Sequence, residues 1–248
     1  MKVSIIIPLY NYAQYIGHCI DSCLRQDFKE DYEIIVVDDC STDGSVLRVR
    51  EFMHEGESSK VKLICHKRNK GYSAAKNTGI VASRGTYVAL IDADDMLTDS
   101  SVRSRVSFLD QHPTFQMVYG YAYSIKGEGG YDYWDKRLRK LHLCRQPRKI
   151  HSQTVMVRRS VYEKYGLYDE DLRSKSDNEM WYRLLQIAQV NSWLLPSPPL
   201  AFYRRHDDSM IEYRKKNPEY SAEQLKICDE KKALRLVMGI TPQNTRFM

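Results

Sequence analysis

Apolar stretches in this 248-residue chain, such as Ile5-Ile6-Ile7 and Val88-Ala89-Leu90-Ile91, fall far short of the roughly 20 residues that a membrane-spanning helix needs. No bilayer-crossing helix is therefore expected. No basic segment leads into an apolar one near the start, so export by a cleaved leader is not expected either. The chemistry is placed in the cytoplasm, with the inner face of the membrane as a further station. The six cysteines, Cys19, Cys23, Cys40, Cys65, Cys144 and Cys228, form no C-x-x-C pair and no zinc or disulfide framework; most are read as buried free thiols. The first apolar strand is not followed by Gly-x-Gly-x-x-Gly, which removes a dinucleotide-binding dehydrogenase, and no Gly-x-x-x-x-Gly-Lys-Ser/Thr supports a P-loop kinase. A Gly-rich basic phosphate loop, which a sugar nucleotidyltransferase would carry there, is missing as well. No nucleic-acid-binding module is recognisable, so no nucleic-acid partner is expected.

What is present is a globular composition, 42% hydrophobic and 28% charged, in a length suited to one large α/β domain with an appendage. The net charge is +6, with basic residues crowded into Lys136–Lys149 and Arg204–Lys232. That balance suits anionic diphosphates or a membrane surface, and equally a solvated face.

Apolar runs and helical spacings alternate. Val3–Tyr10 reads as a strand, and Ile16, Cys19, Ile20, Cys23 and Leu24 follow at helical spacing. Glu33–Val37, Val61–Cys65 and Thr86–Ile91 read as strands; Ser45–Met53, Ala74–Ala82 and Asp99–Asp110 read as helices, the last with Asp99 placed to cap it. This alternation predicts a mostly parallel central sheet flanked by helices. Beyond it, Gln116–Ile125, Gln153–Val157 and Leu200–Arg204 read as strands, Lys126–Lys149 as a loop over the site, and Asp177–Ala188 as a helix. Pro218–Val237, with Leu225, Cys228, Leu234 and Val237 as its apolar positions, reads as a terminal helix packed on the domain or lying on a membrane.

In such sheets ligands sit beyond the carboxyl ends of the strands. Three strands end there in Pro8-Leu9-Tyr10-Asn11, Asp38-Asp39 and Asp92-Ala93-Asp94-Asp95. Carboxylates at the ends of apolar strands are costly unless a cation or ligand compensates them. Without His or Cys alongside, they suit a hard ion, Mn2+ or Mg2+, that completes its shell with phosphate oxygens. The competing reading is a solvated acidic turn.

The runs Ser4-Ile5-Ile6-Ile7-Pro8-Leu9-Tyr10-Asn11, Val36-Val37-Asp38-Asp39-Cys40-Ser41-Thr42-Asp43-Gly44-Ser45 and Leu90-Ile91-Asp92-Ala93-Asp94-Asp95, together with Asn69-Lys70-Gly71-Tyr72-Ser73-Ala74-Ala75-Lys76-Asn77-Thr78-Gly79, resemble the family 2 inverting glycosyltransferases of the A-type nucleotide-sugar fold. The resemblance covers residues 3 to about 210 and implies a nucleotide-sugar donor. Pro8 and Tyr10 match the base-contacting loop, with Tyr10 stacking on the base. Asp39 matches the residue that hydrogen-bonds a uracil ring nitrogen, so a UDP-sugar is favoured, with guanosine and thymidine still open. Asp92 and Asp94 match the D-x-D motif: Asp94 is the implied metal ligand, Asp92 lies near the ribose, and Asp95 shares that work. Lys76 stands where the family often has Arg and is implied to contact phosphate or ribose. Cys40 replaces a usual Gly, a change expected to matter little.

Inversion needs a carboxylate that takes the acceptor hydroxyl's proton. Asp177, opening Asp177-Asn178-Glu179-Met180-Trp181-Tyr182-Arg183-Leu184, matches that base; Glu179 is the fallback, and a helix N-cap is the structural alternative for Asp177. Ser176 stands where the family usually has Glu. Tyr203-Arg204-Arg205-His206 is similar to the family's R-x-H segment, so Arg204 and His206 are implied to meet the diphosphate, and His206 to ligate the metal. Arg158, Arg159 and Gly166-Leu167-Tyr168-Asp169-Glu170 resemble the framework of the acceptor cleft, with Asp169 structural.

The expected organisation is a transferase domain over 1–210, nucleotide-binding to about 110 and acceptor-binding beyond it, and a helical appendage over 211–248. The implied acceptor is a saccharide, surface polysaccharide or lipid-linked glycan, with peripheral membrane association. The alternative is a transferase-like module that binds nucleotide and has lost catalysis.

Overall fold

The computed structural model describes residues 1–53, 60–127, 142–144 and 150–238. Its first half alternates strand and helix: β1 (Val3–Leu9), α1 (Ala13–Leu24), β2 (Tyr32–Asp38), α2 (Ser45–Arg50), β3 (Val61–Cys65), α3 (Tyr72–Ala82) and β4 (Tyr87–Leu90). Every residue of β1, β2 and β4 is buried, because helices cover both faces of these strands and leave no polar alternation. Period-two geometry splits β1 between two cores. Val3, Ile5, Ile7 and Leu9 join one with Ile16 and Ile20 of α1; Ile6 joins the other with Ile80, Val88 and Leu90. Helix α3 lies so close to β1 that a Cβ on Gly79 would stand 2.3 Å from Ile6 Cγ2, which only glycine permits.

The second half adds β5 (Met96–Leu97), α4 (Ser101–Gln111), β6 (Met117–Gly120), β7 (Ala122–Lys126), β8 (His142–Cys144), β9 (Met156–Arg158), α5 (Arg159–Tyr165), α6 (Ser176–Tyr182), β10 (Ser192–Leu195), β11 (Ala201–Arg205), α7 (Met210–Lys216) and α8 (Pro218–Met238). Seven strands form the central sheet in the order β10-β6-β9-β4-β1-β2-β3. It is mostly parallel, as in β1 with β2 (Ile5 opposite Ile34) and β1 with β4 (Ile5 opposite Ala89). Strand β9 is antiparallel to both β4 and β6. A second sheet, β5-β11-β7-β8, stands beside the carboxyl ends of the first.

The α/β class and the parallel sheet are as expected from sequence; several boundaries are not. The strand expected over Gln116–Ile125 is two, broken at Tyr121, because β6 belongs to the large sheet and β7 to the small one. Gln153–Val157 is divided into a 3-10 turn at Ser152–Thr154 and the start of β9. The helix expected to reach Ala188 ends at Tyr182 and widens into a π turn, Arg183–Ile187, closed by Ala188 N–H donating to Arg183 O at 2.9 Å. Ser100, not Asp99, occupies the cap position of α4. The loop expected over Lys126–Lys149 lies largely outside the described residues. Cys19, Cys23 and Cys228 are buried thiols, whereas Cys65 is exposed.

Helix α8 docks mainly through polar groups, with Cys228 alone of its four expected apolar positions buried. Gln224 Oε1 accepts from the N–H groups of Arg173 (3.0 Å) and Ser174 (3.1 Å), and Lys231 lies 3.2 Å from Asp169. Cys228 is buried, while Leu225, Leu234 and Val237 are exposed. No described helix is long and apolar enough to cross a membrane.

Candidate active site

The carboxyl ends of β1, β2 and β4 meet at one rim. Asn11, in left-handed backbone (φ 54°), ties the first two together: its N–H donates to Ser41 Oγ (2.9 Å), and its Oδ1 accepts from Thr42 N–H (2.8 Å). Tyr10 stands beside it, 45% exposed, with its ring free to meet a planar ligand. Pro8 is inside β1 and buried, so it shapes the loop from beneath. Cys40 has φ 65°, a left-handed conformation costing a non-glycine residue roughly 1–2 kcal/mol. The usual glycine at that place is a conformational matter, so the change is not neutral for the backbone.

Asp39 is buried under the second loop. Its Oδ1 accepts from Lys70 N–H (2.8 Å) and lies 2.7 Å from His66 Nδ1, and its Oδ2 accepts from Gly71 N–H (2.7 Å). His66 Nε2 lies 2.9 Å from Thr78 Oγ1, so the ring is held at both nitrogens. Gly71, with φ 97°, occupies the cap position just before α3; a Cβ there would meet Arg173 Nη1 at 2.8 Å. The Asp39 carboxylate is thus fixed in plane by three donors, with Oδ2 keeping capacity for one more.

After β4, one carboxylate oxygen from each of Asp92, Asp94 and Asp95 can be chosen so that all three lie within 4.8 Å of one another. Asp92 and Asp94 are partly exposed and Asp95 is buried. Asp95 Oδ1 accepts from Arg204 N–H at 2.8 Å, whereas its buried Oδ2 has no hydrogen-bond partner. Burial, then the charges of Asp94 and Asp92, hold the Asp95 carboxyl well above the usual carboxylate range. Burial also raises Asp92; the Lys76 charge opposes this, Asp94 and Asp177 add to it, and the net pKa is pushed up to about 6. Three crowded carboxylates, one with an orphaned buried oxygen, are an all-oxygen donor set that a hard divalent cation fits.

His206, just past β11, brings Nε2 to 2.9 Å from Asp94 Oδ2; its Nδ1 is buried without a hydrogen-bond partner. The rings of Tyr12 and Tyr15 flank it, with centroids 5.8 and 4.7 Å away. Burial and the neighbouring Asp charges raise the Tyr12 phenol far beyond its ordinary range, so it remains a proton donor. Arg204 is placed differently from the expectation that it meets a diphosphate. Its side chain is buried, Nε donates to Asp94 O at 2.8 Å and Nη1 to Gly127 O, and it packs over Tyr15. In this arrangement it braces the acidic turn from behind.

Across the cleft, Asp177 lies in the first turn of α6. Lys175, in left-handed backbone, occupies the cap position, so Asp177 is not the N-cap. Instead its Oδ1 accepts from Lys76 Nζ at 2.6 Å. Lys76 is fully buried, with its ammonium over the rings of Tyr72 (3.8 Å) and Tyr168 (4.5 Å). Lys76 is therefore engaged with Asp177 rather than presented to phosphate or ribose. Tyr72 links this pair to the acidic turn, since its hydroxyl donates to Asp92 Oδ1. Glu179, the fallback base, is fully buried and held by Arg183 (3.0 Å) and Arg235 (3.5 Å); no acceptor hydroxyl reaches it. Asp169 is structural, as expected, beneath Lys231 and Arg235.

Sequence reasoning passed over Tyr72, His66, Tyr12 and Tyr15. Tyr72 lies within the Gly71-Tyr72-Ser73 stretch and was open to notice; nothing local marks His66, whose side-chain partners, Asp39 and Thr78, come from two other segments.

The sequence model described as Glycosyl transferase family 2 matches residues 4–205. The chain belongs to that family. It is 28% identical over 222 residues to the uncharacterized glycosyltransferase EpsJ of Bacillus subtilis strain 168, covering 85% of this chain and 63% of that relative's length. Its fold is similar to that of TarS 1–349 of S. aureus in complex with UDP, with a TM-score of 0.72, 18% identity, and coverage of 100% of this chain and 68% of that one. It is also similar to the mannosyltransferase PcManGT from Pyrobaculum calidifontis in complex with GDP-Man and Mn2+, with a TM-score of 0.64, 20% identity, and coverage of 86% and 59%. These likenesses establish the A-type nucleotide-sugar fold for this family 2 member.

Proposed function

We propose that this family 2 member is an inverting glycosyltransferase that moves a hexose from a nucleotide-sugar, with UDP as the favoured nucleotide, to a hydroxyl of a saccharide or lipid-linked acceptor. The observation carrying this reading is that the Asp92, Asp94 and Asp95 cluster and Asp177 face one cleft, joined through Tyr72 and Lys76. Tyr10 offers its exposed ring to the base, and Asp39 offers Oδ2 to a ring N–H. Asp94 and His206, with Asp95 behind them, would hold Mn2+ or Mg2+. Such an ion, when bound, supplies positive charge to the departing diphosphate.

The chain's own residues do the rest. Asp177, oriented by Lys76, takes the proton of the acceptor hydroxyl. The freed oxygen attacks the anomeric carbon from the face opposite the nucleotide, a new C–O bond forms, and the bond to the diphosphate oxygen breaks with its electron pair leaving on the diphosphate. Tyr72 keeps Asp92 hydrogen-bonded at the sugar side. Residues 1–210 would form the transferase domain and 211–248 its helical appendage. A cytoplasmic site at the inner membrane face and a role in polysaccharide assembly would follow from a lipid-linked acceptor.

Asp177→Asn tests the base. The Asn amide oxygen still accepts from Lys76, so the fold and donor binding are expected to persist while transfer falls by about 10²–10⁴. Near-normal transfer by that variant would overturn the assignment. A catalytically silent nucleotide-binding module would bind donor yet neither hydrolyse nor transfer it with any acceptor.

A further inference from the structure

The corner at Lys175 meets α7 and α8 across an open cavity of about 560 Å³. Lys175, Arg214 and Lys215 supply all of its ionisable lining, and Pro218, Ala222 and Leu225 supply an apolar wall. No carboxylate lines it. Lys215 is paired with Glu212 (2.5 Å), and Arg214 Nε donates to Met210 O (3.3 Å). Among the described residues, no carboxylate pairs with Lys175 or Arg214. Lys175 and Arg214, with the Glu212-paired Lys215 beside them, give the hollow a positive field that concentrates anions there. Leu225 is 44% exposed, so the same hollow also presents carbon surface.

This cavity is attached to the chemistry. Lys175 is non-glycine yet left-handed (φ 61°, ψ 11°), the kind of sparsely populated backbone that surrounding structure must hold in place. Its carbonyl accepts from the N–H groups of Asn178 (2.9 Å) and Glu179 (3.2 Å), fastening it to the start of α6. Asp177 is two residues on, so the two Cα atoms are at most about 7.6 Å apart.

We propose that this cavity is an anchoring subsite for the acceptor and takes a phosphate or diphosphate ester that carries an apolar chain. The anion sits among Lys175, Arg214 and Lys215, and the first carbons of the chain lie over Pro218, Ala222 and Leu225. The saccharide end then projects toward Asp177. This deepens the glycosyltransferase reading and rests on it for the acceptor role. A purely polar phosphate would leave the Leu225 side uncovered, and a neutral glycan would leave Lys175 and Arg214 uncompensated.

The test is a titration of the full chain with geranyl diphosphate, with and without saturating UDP and Mn2+ to fill the donor site. Geranyl diphosphate is expected to bind in both conditions, about tenfold more tightly than pyrophosphate and more weakly as salt rises. The double variant Arg214→Gln, Lys215→Gln, at surface positions, is expected to bind it about tenfold more weakly, with UDP binding and circular dichroism unchanged; Lys175→Gln should weaken it independently. Equal affinity of the double variant and the parent, or no binding, overturns the subsite. So does competition by UDP, which would place the probe in the donor site. Binding to phosphatidylglycerol vesicles that is lost in the double variant, without binding of geranyl diphosphate in solution, would identify a membrane contact and also overturn it. Failure of UDP itself to bind would count against the transferase reading, while the titration without UDP still decides the subsite.

Discussion

The fully buried ammonium of Lys76 donates to Asp177 Oδ1 at 2.6 Å across 101 residues of chain. A buried cation needs a partner, and here the partner is the carboxylate proposed to accept a proton. Two tyrosine rings, Tyr72 and Tyr168, complete the enclosure. The pair fixes one carboxylate oxygen and leaves the other for the acceptor.

Lys76→Met removes a buried charge of similar length while leaving Asp177 partly exposed to water. Stability is expected to change by no more than about 1 kcal/mol, because the buried charge is removed with its side chain and the carboxylate left behind, Asp177, is partly exposed and solvated by water rather than buried unpaired. Turnover should nevertheless fall about 10–10²-fold, with donor KM little changed, because the base loses its orientation. Thermal denaturation and a kcat-against-KM comparison check this; a loss of stability with unchanged kcat would make Lys76 structural only.

Glu179 is expected to behave in the opposite way. Its carboxylate is fully buried and held by Arg183 and Arg235, so Glu179→Gln leaves buried guanidinium charge uncompensated. Unfolding free energy should drop by about 3 kcal/mol, visible as a melting temperature lower by about 6–12 °C. The fraction that remains folded should keep its nucleotide affinity. An unchanged melting temperature with abolished transfer would return Glu179 to candidacy as the base.

Stability should fall in acid partly through Glu33. Burial raises its pKa, but hydrogen bonds from Lys62 (2.7 Å), Ser4 (2.6 Å) and the Arg84 N–H (2.8 Å) outweigh burial and hold it below the usual glutamate range. A carboxyl whose folded pKa is depressed stabilises the fold above its unfolded pKa, about 4.3. That contribution is lost as pH falls through the lower folded value. Denaturant titrations between pH 7 and 3 should show Glu33→Gln less stable at pH 7 and converging with the parent in acid. Parallel pH curves would contradict this.

The parts of the fold that were legible in sequence are those ruled by local periodicity. The strands and helices of the first half follow one another with turn residues between them, and both-face burial leaves the strands mostly apolar, Ser4 and Glu33 being buried exceptions. The acidic clusters were legible because charge at the end of an apolar strand is conspicuous. Legibility failed where a choice depends on distant partners. The break at Tyr121 is set by membership of two sheets, and the place of β9 between β4 and β6 by pairing rather than propensity. The expectation that Lys76 and Arg204 face phosphate took their charge at face value. In the fold, one is drawn to Asp177 and the other to the carbonyls of Asp94 and Gly127. Likewise, the apolar positions of α8 suggested a helix packed on the domain or lying on a membrane, yet of those four Cys228 alone is buried, and Gln224, Lys231 and Arg235 make polar docking contacts.

The central claim, a metal-assisted nucleotide-sugar site at Asp92, Asp94 and Asp95, is tested most directly by calorimetric titration of UDP, GDP and dTDP into the full chain and its Asp94→Ala variant, with Mn2+, Mg2+ or chelator. The account predicts binding of UDP that requires the divalent ion and falls at least about tenfold in Asp94→Ala. Binding that survives both chelator and the substitution, or no binding of any nucleotide by the parent, would contradict it.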